Sequence, residues 1–177
     1  MSTHDSADKA TLHRLVPAPD TELQMTVFVH SLAPVESKES QDRLVRRVDS
    51  LGDRGVVDAV DLEVWGTSIC TASPVTRLGS GRRIIDAITE FYDRAAESDF
   101  SVAPFFRRSS VSTEYSDEEF RRIVPPQRAV ALYEAGDLAA VFPCLVDGTA
   151  YTPEDLLRYL EQRQNAAREP LVVDESA

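Results

Sequence analysis

The chain has 177 residues, 42% of them hydrophobic, and a formal net charge of −11 at pH 7. This length and apolar content fit one folded domain and argue against an intrinsically disordered chain. No apolar run approaches the roughly 20 residues that span a bilayer, so we expect neither a membrane segment nor a signal peptide.

The acidity has an unusual form, because the basic residues are almost all arginine. Lys9 and Lys38 are the two lysines, so 17 of the 19 basic residues are arginines, set against 30 acidic residues. Carboxylates favour solubility, and concentrated salt screens their mutual repulsion. This composition resembles that of cytoplasmic proteins from haloarchaea. We therefore expect a cytoplasmic location and take the acidity as an adaptation to salt.

The first predicted elements are an arm, a strand and a helix. Residues 1–22 are polar and contain two prolines, which predicts a disordered arm before a single α/β domain at 23–162. Residues 25–32 are apolar on both faces, as in a central strand. Ser40 is a suitable N-cap for a helix. The apolar face of that helix would contain Leu44, Val45, Val48 and Leu51.

The middle of the chain predicts an edge strand and the most regular helix. Apolar and acidic residues alternate over 60–64, which is typical of a strand with one solvated face. Residues 67–71 could add a short strand within a long connection. A helix follows Gly81, and its apolar stripe contains Ile84, Ile85, Ile88, Phe91, Tyr92 and Ala95.

The last part predicts a short helix, a hairpin and a final helix. A capping-box pattern at 116–119 favours a helix to about residue 123. Strands at 128–133 and 138–142 would form a hairpin in which Gly136 supplies a positive φ. Thr152 and Pro153 favour the start of a helix with Leu156, Leu157 and Leu160 inside. Residues 163–177 predict a disordered tail.

The order of these elements predicts a three-layer thioredoxin-like α/β fold, βαβ-α-ββα, with a mixed four-stranded sheet of order 2-1-3-4. The segment Val-Pro-Pro-Gln at 124–127 and the hairpin after it resemble the end of thioredoxins. The resemblance implies a cis peptide bond before Pro126. It does not extend to the redox motif, because 31–34 read Ser-Leu-Ala-Pro where thioredoxins have Cys-x-x-Cys.

A second resemblance covers about residues 25–160. The segments Leu-Glu-Val-Trp-Gly at 62–66, Ala-Pro-Phe-Phe at 103–106 and Ala-Val-Phe-Pro-Cys at 140–144 look like those of a haloarchaeal family named for a helix-turn-helix domain. Residues 44–57 resemble the end of a winged-helix domain. This resemblance implies a DNA-binding transcriptional regulator.

Catalytic and metal-binding patterns are not evident in the sequence. His4, His13 and His30 are scattered, and Cys70 and Cys144 are too far apart for a metal-site signature. No nucleophile elbow, P-loop or dinucleotide fingerprint occurs. We therefore expect no catalytic residue, no metal and no cofactor.

One segment favours anion binding, although weakly. Gly79, Ser80 and Gly81 precede Arg82 and Arg83 at the start of a predicted helix, where free backbone N–H groups attract anions. The alternative is an ordinary loop with Ser80 as the cap and both arginines paired to surface acids. Further arginine doublets stand at 46–47, 107–108 and 121–122, and their positions relative to one another in space are not predictable from the sequence.

These observations lead to three hypotheses of function. The first is a non-catalytic regulatory or protein-interaction domain with a protein partner. The alternative is a DNA-binding regulator of helix-turn-helix type, for which the arginine doublets would contact nucleic acid. The third is a thiol-dependent thioredoxin-like enzyme that uses Cys70 or Cys144. None of the three involves a membrane.

Overall fold

A computed structural model describes residues 2–71, 79–113 and 116–168. In chain order the elements are α1 (Ser2–Leu15), β1 (Leu23–His30), α2 (Val35–Asp53), β2 (Ala59–Trp65), β3 (Ile69–Cys70), α3 (Gly79–Ala96), β4 (Arg107–Thr113), β5 (Ser116–Val124), β6 (Arg128–Glu134), β7 (Asp137–Phe142), β8 (Cys144–Val146), β9 (Thr149–Tyr151) and α4 (Pro153–Arg168). No helix in these ranges is long and apolar enough to cross a membrane.

The main sheet has four strands in the order β2-β1-β6-β7. The β1–β2 pair is parallel, whereas β6 is antiparallel to both β1 and β7. The predicted α/β class and mixed four-stranded sheet are therefore confirmed. The two central strands carry the most apolar segments, because both of their faces are covered. In β6, for example, the four side chains of 129–132 are completely buried.

A second sheet of order β3-β5-β4 lies in the chain between β2 and β6. The prediction counted four main strands, in the order 2-1-3-4, and placed a helix where β5 forms. That helix is wrong. The capping-box residues 116–119 begin a strand that pairs with β4, with one irregularity between Ser112 and Thr113. Ile123 near its other end is buried and lies opposite Ile69 of β3. Tertiary pairing here outweighs a local helix signal. A thioredoxin-like topology stays a prediction.

The N-terminal arm is also corrected. Most of residues 1–22 form α1, whose Leu12 is buried in the core, as is Val16 just beyond it. The Tyr151 hydroxyl donates a hydrogen bond to the Asp8 carboxylate at 3.1 Å, and Arg163 donates to the Pro17 carbonyl at 2.8 Å. Apolar burial and these two hydrogen bonds attach the segment to the domain.

The predicted tail is wrong for its first six residues and lies outside the described residues from 169 onward. Helix α4 continues to Arg168. The Gln164 amide donates to the Arg54 carbonyl at the end of α2, at 3.3 Å. This end of α4 is therefore part of the domain.

Two local predictions are confirmed at the turns. The β6–β7 hairpin turns at Ala135 and Gly136, whose φ angles of 50° and 90° suit a two-residue loop with both central residues left-handed. Helix α4 starts with a reciprocal cap: the Thr152 amide donates to the Asp155 carboxylate at 2.8 Å, and the Asp155 amide donates to the Thr152 hydroxyl at 3.3 Å.

The predicted cis peptide bond before Pro126 is wrong. Among the described residues, the structure records its cis bond at Phe142–Pro143, at the corner between β7 and β8. Pro125 and Pro126 connect β5 to β6, and a residue that precedes proline favours an extended conformation. The Pro126 carbonyl accepts a hydrogen bond from the Trp65 indole at 3.1 Å. The resemblance to thioredoxins thereby loses one of its supports.

An aromatic cluster attaches α3 to the sheet. Phe28 stacks on Trp65 at a centroid distance of 4.7 Å. Phe91 of α3 contacts Phe28 edge-on at 5.6 Å, and Phe106 contacts both Phe91 and Trp65 at 5.7 Å. All four rings are buried. Such pairs add about 0.5–1.5 kcal/mol each beyond burial, so α3 is held firmly and the surfaces along its two flanks are well defined.

Candidate nucleic-acid interface

Strands β4 and β5 form a ribbon that brings two of the arginine doublets together. In its register Ser109 lies opposite Arg122 and Ser110 lies opposite Arg121. The side chains of Arg107, Arg108, Arg121 and Arg122 are all exposed, and we call these four residues the arginine cluster. The predicted elements did not place residues 107 and 122 in the same part of the fold. The cluster exists because the chain reverses between β4 and β5.

The pairing also determines which arginines share a face of the ribbon. Residues directly opposite in an antiparallel pair point to the same side, and alternate residues along a strand do too. Arg108 and Arg121 are therefore diagonal neighbours on one face, and Arg107 and Arg122 are diagonal neighbours on the other. Diagonal neighbours are separated by about 7–8 Å. Each face of the ribbon thus carries a pair of guanidinium groups.

The base of the ribbon is anchored to the body of the domain. Buried Ile123 lies opposite Ile69 of β3, and the Thr71 hydroxyl and amide both donate to the Arg121 carbonyl at 3.0 Å. These contacts fix the backbone beneath Arg121 and Arg122. Their side chains are consequently presented from a rigid strand, which suits a binding surface better than a loop does.

Arg108 is positioned by helix α3. Its guanidinium carbon lies 3.6 Å from the centroid of the Tyr92 ring, a cation–π contact. The Tyr92 hydroxyl donates a hydrogen bond to the Phe106 carbonyl, just before β4. Burial raises the pKa of Tyr92, and the nearby Arg108 charge partly opposes that rise. Tyr92 therefore stays neutral and holds the start of the ribbon against α3.

A groove of about 440 Å³ separates the ribbon from α3. Ile85 of α3 lines it, with Arg108, Arg121 and Arg122 on the ribbon side. Exposed Ser109 and Ser110 lie between the arginines in the pairing register. Guanidinium and hydroxyl groups are the side chains that most often contact phosphate oxygens. The groove can therefore hold a chain of phosphates or another polyanion.

The arginine cluster differs from the other arginines in its charge environment. Among the side chains that the structure describes, which leave out those of residues 111–120, no carboxylate forms an ion pair with any of its four members. In the doublet at 46–47, by contrast, the Arg47 guanidinium pairs with the Glu161 carboxylate at 3.1 Å. The cluster and this doublet therefore differ in the ion pairs that the described side chains form.

The predicted anion site at the start of α3 has a different arrangement. Gly79 has a φ of 60° and begins the helix. Arg82 pairs with Asp86 at 3.6 Å, while Arg83 pairs with Glu63 of β2 at 3.9 Å. The two arginines therefore contact acids on different elements, as the alternative interpretation proposed. The Ser80 side chain lies outside the described part, Gly81 only continues the helix, and anion binding by 79–83 stays a prediction.

The opposite flank of α3 is acidic. A groove of about 580 Å³ between α3 and the β6–β7 turn is lined by the carboxylates of Glu90, Asp93, Glu97, Glu134 and Asp137 and by Arg94. We call it the acidic groove. Partial burial raises the pKa of Glu90, and the Asp137 charge adds to this. Burial, with a smaller contribution from Glu90, raises the pKa of Tyr133 to about 12.

One of the two thiols, that of Cys144, is not suited to catalysis. Both cysteines are free. Cys144 is completely buried, and burial raises the pKa of its thiol to about 12, so it is not a thiolate at neutral pH. Cys70 is half-buried on β3. Within the described ranges, no group of three His, Cys, Asp or Glu residues is arranged to hold a metal ion.

Comparison with known families places residues 17–165 in a family described as a helix-turn-helix domain. The chain belongs to that family. No curated protein and no solved structure matches it. The expected family resemblance is therefore confirmed, whereas an origin in a haloarchaeon is not shown.

The family name and the fold differ in one respect. A helix-turn-helix joins two helices by a turn of three or four residues. Over the described part of 17–165, β2 and β3 separate α2 from α3, and β4 to β9 separate α3 from α4. The membership is thus established by sequence similarity, and the described elements do not form the motif for which the family is named. The arginine cluster of this member lies on a β-ribbon.

Proposed function

We propose that this domain binds nucleic acid as part of a regulatory protein, and that the arginine cluster makes the contact with phosphates. The observation that carries the proposal is that β4 and β5 bring four exposed arginines together on one ribbon, two on each face, and that three of them line the groove beside α3. Membership of a helix-turn-helix family supports the same class of ligand. The major groove of B-DNA admits a two-stranded ribbon, so duplex DNA is the expected partner.

The net charge of −11 does not oppose this proposal. Charges separated by more than about 8 Å are largely screened at physiological ionic strength, so the local surface decides whether an anion binds. Many of the acids lie elsewhere, for example in the acidic groove on the other flank of α3. The sequence also has three acids at 117–119, in the half of β5 remote from Arg121. The interface is therefore the base of the ribbon.

The acidic, lysine-poor composition supports a protein that works in concentrated salt in a haloarchaeal cytoplasm. Molar salt weakens phosphate contacts steeply. Under those conditions, base contacts by the ribbon and burial of the apolar wall at Ile85 would have to supply part of the affinity. This requirement favours a contact in which base edges and apolar surface contribute beside the phosphates, over a purely electrostatic encounter.

Fluorescence anisotropy with a labelled pool of duplex DNA tests the proposal. In the ribbon variant Arg121→Gln/Arg122→Gln we expect affinity to fall about tenfold or more, because hydrogen bonds to charged groups contribute about 1.5–3 kcal/mol each. The matched control is Arg43→Gln/Arg46→Gln, which removes the same charge from two exposed positions of α2. It should change affinity less than twofold.

The control also separates the ribbon from a conventional recognition helix. Helix α2 contains most of the segment that resembles the end of a winged-helix domain. If the α2 variant lost binding and the ribbon variant kept it, the site would lie on α2 and the ribbon assignment would be wrong. If the wild-type protein bound no DNA at any salt concentration at which it is folded, nucleic-acid binding itself would be wrong.

A protein-interaction domain remains the second candidate function. It is favoured by four large apolar side chains that the described structure leaves exposed: Leu32 at 82%, Val35 at 78%, Leu62 at 53% and Val64 at 48%. Two of them, Leu62 and Val64, lie on one strand, and exposed apolar groups that form a contiguous patch often mark an interface. A thiol enzyme that uses Cys144 has no such support, because that thiol is buried and protonated.

A further inference from the structure

Strand β2 is an outer strand of the main sheet. It pairs with β1 on one side only, and no other described strand contacts its second edge. An exposed strand edge is a template for pairing with another strand. Leu62 and Val64, two of the four exposed apolar side chains, lie on β2, and the other two follow the end of β1.

The sequence of β2 is symmetric in its chemistry. Residues 60–64 read Val-Asp-Leu-Glu-Val, so the apolar and acidic positions are the same in either direction from Leu62. An interface between two copies about a twofold axis requires such self-complementarity. The residue on the axis meets its own copy, and every other residue meets the one at the same distance on the opposite side of the axis. A strand that binds an unrelated partner has no need of it.

The backbone of β2 directs N–H and C=O groups towards its free edge. The Trp65 carbonyl accepts a hydrogen bond from the Ser31 amide, so its polar groups point towards β1. Backbone groups alternate in direction along a strand. Those of Val60, Leu62 and Val64 therefore point away from β1, at the same three positions that carry the symmetric apolar side chains.

We propose that two copies of this chain pair through β2, antiparallel and about a twofold axis at Leu62. Leu62 then lies opposite Leu62 of the second copy, and Val60 lies opposite its Val64. The backbone groups of Val60, Leu62 and Val64 that point away from β1 form the hydrogen bonds between the two copies. The two four-stranded sheets then join into one. This inference does not rest on nucleic-acid binding.

The charges on the other face of β2 are compatible with this register. Asp61 would lie opposite Glu63 of the second copy, and like charges directly opposite are unfavourable. Glu63, however, already pairs with the Arg83 guanidinium at 3.9 Å, while exposed Asp61 has no ion pair among the described residues. Each Arg83 would therefore lie between a carboxylate of its own chain and one of the second copy.

The size and chemistry of this interface predict a dimer that depends on concentration and salt. One strand pair with its apolar side chains falls at the low end of specific interfaces, about 1,200 Å² in total. Salt screens the opposing acids, and excluded salts strengthen apolar burial. We expect the dimer population to rise with protein concentration and with salt.

Disulfide crosslinking tests the register directly, in a Cys70→Ser background. A Leu62→Cys variant should form a crosslinked dimer on mild oxidation, because directly opposite Cα atoms are about 5.5 Å apart and disulfides span 4.4–6.8 Å. Val64→Cys is the matched control on the same strand and face. In this register the two copies of residue 64 are offset by about 13 Å along the strand, so no crosslink should form.

Sedimentation velocity across a range of protein and salt concentrations provides the second measurement. The wild type should show a monomer–dimer equilibrium, and Leu62→Lys should be monomeric with unchanged thermal unfolding, since Leu62 is half-exposed. A wild type that stays monomeric throughout would overturn the proposal. So would crosslinking at residue 64 in place of 62, or equal crosslinking of both variants, which indicates random collision.

Discussion

The two flanks of helix α3 have opposite electrostatic character, although they belong to one helix in one acidic protein. On one flank Ile85, Thr89 and Tyr92 face the arginine cluster across a groove. On the other, Glu90 and Asp93 contribute to the acidic groove. The helical repeat explains this, because residues three and four apart share a side and the two sets are displaced around the axis. Net charge therefore says little about what a given surface can bind.

The two flanks also differ in how their charges are accommodated. The guanidinium groups of the arginine cluster are exposed and rest on an anchored ribbon, so they retain their charge for a ligand. In the other groove, desolvation by partial burial raises the pKa of Glu90, and the nearby Asp137 charge raises it further. The basic flank is arranged for binding, whereas the acidic flank carries an electrostatic cost at neutral pH.

The largest effect should come from Phe91, which holds α3 between the two flanks. Its buried ring contacts Phe28 and Phe106, so Phe91→Ala would leave a cavity and should destabilise the fold by about 3–5 kcal/mol. Urea unfolding measures this loss. Thr89→Ala, an exposed change on the same helix, is the control and should cost less than about 0.5 kcal/mol. A Phe91 variant as stable as the wild type would show that α3 is not anchored by this cluster.

A smaller effect should be confined to the basic flank of α3. Tyr92→Phe removes the hydrogen bond from the hydroxyl to the Phe106 carbonyl but keeps an aromatic ring beneath Arg108. We expect a loss of about 1 kcal/mol in unfolding free energy, with DNA affinity nearly unchanged. Tyr92→Leu is compared with it. This variant removes the aromatic ring as well as the hydroxyl, so it should also lower DNA affinity. Equal DNA affinity in both variants would argue that the ring does not position Arg108.

The smallest effect concerns Glu90 on the acidic flank, and its sign follows from the raised pKa. Between the ordinary carboxyl pKa and the raised value, the folded state binds more protons than the unfolded state. The stability due to Glu90 therefore falls as pH rises through that window and stays lower at neutral pH. Glu90→Gln should be more stable than the wild type at pH 7, and this advantage should disappear in acid. Thermal unfolding against pH measures it, with exposed Glu39→Gln as the control.

Much of the fold could be predicted where the pattern extended over a whole element. The stripe from Ile84 to Ala95 predicted α3, and the turn at Gly136 predicted the β6–β7 hairpin. The failures are local signals that tertiary contacts override. Residues 116–119 have the form of a helix cap but begin β5, and α1 has only a narrow apolar face that the prediction missed. Which partner covers a short apolar segment is not encoded in that segment.

The candidate site was predictable only in its parts. All the arginine doublets were visible in the sequence, yet the one singled out, at 82–83, is paired with carboxylates in the structure. The doublets at 107–108 and 121–122 are placed almost symmetrically about residues 114–115, as two strands of a ribbon would place them. The mistaken helix at 117–123 concealed that symmetry. A correct prediction of β5 as a strand would have placed the two doublets beside each other.

The central claim, that the arginine cluster contacts nucleic-acid phosphates, is tested most directly by the salt dependence of DNA binding. Each phosphate contact on B-DNA contributes about −0.9 to the slope of log affinity against log salt concentration. The Arg121→Gln/Arg122→Gln variant should have a slope shallower than that of the wild type by about 1.8, whereas the Arg43→Gln/Arg46→Gln variant of α2 should keep the wild-type slope. A ribbon variant with an unchanged slope would contradict the account.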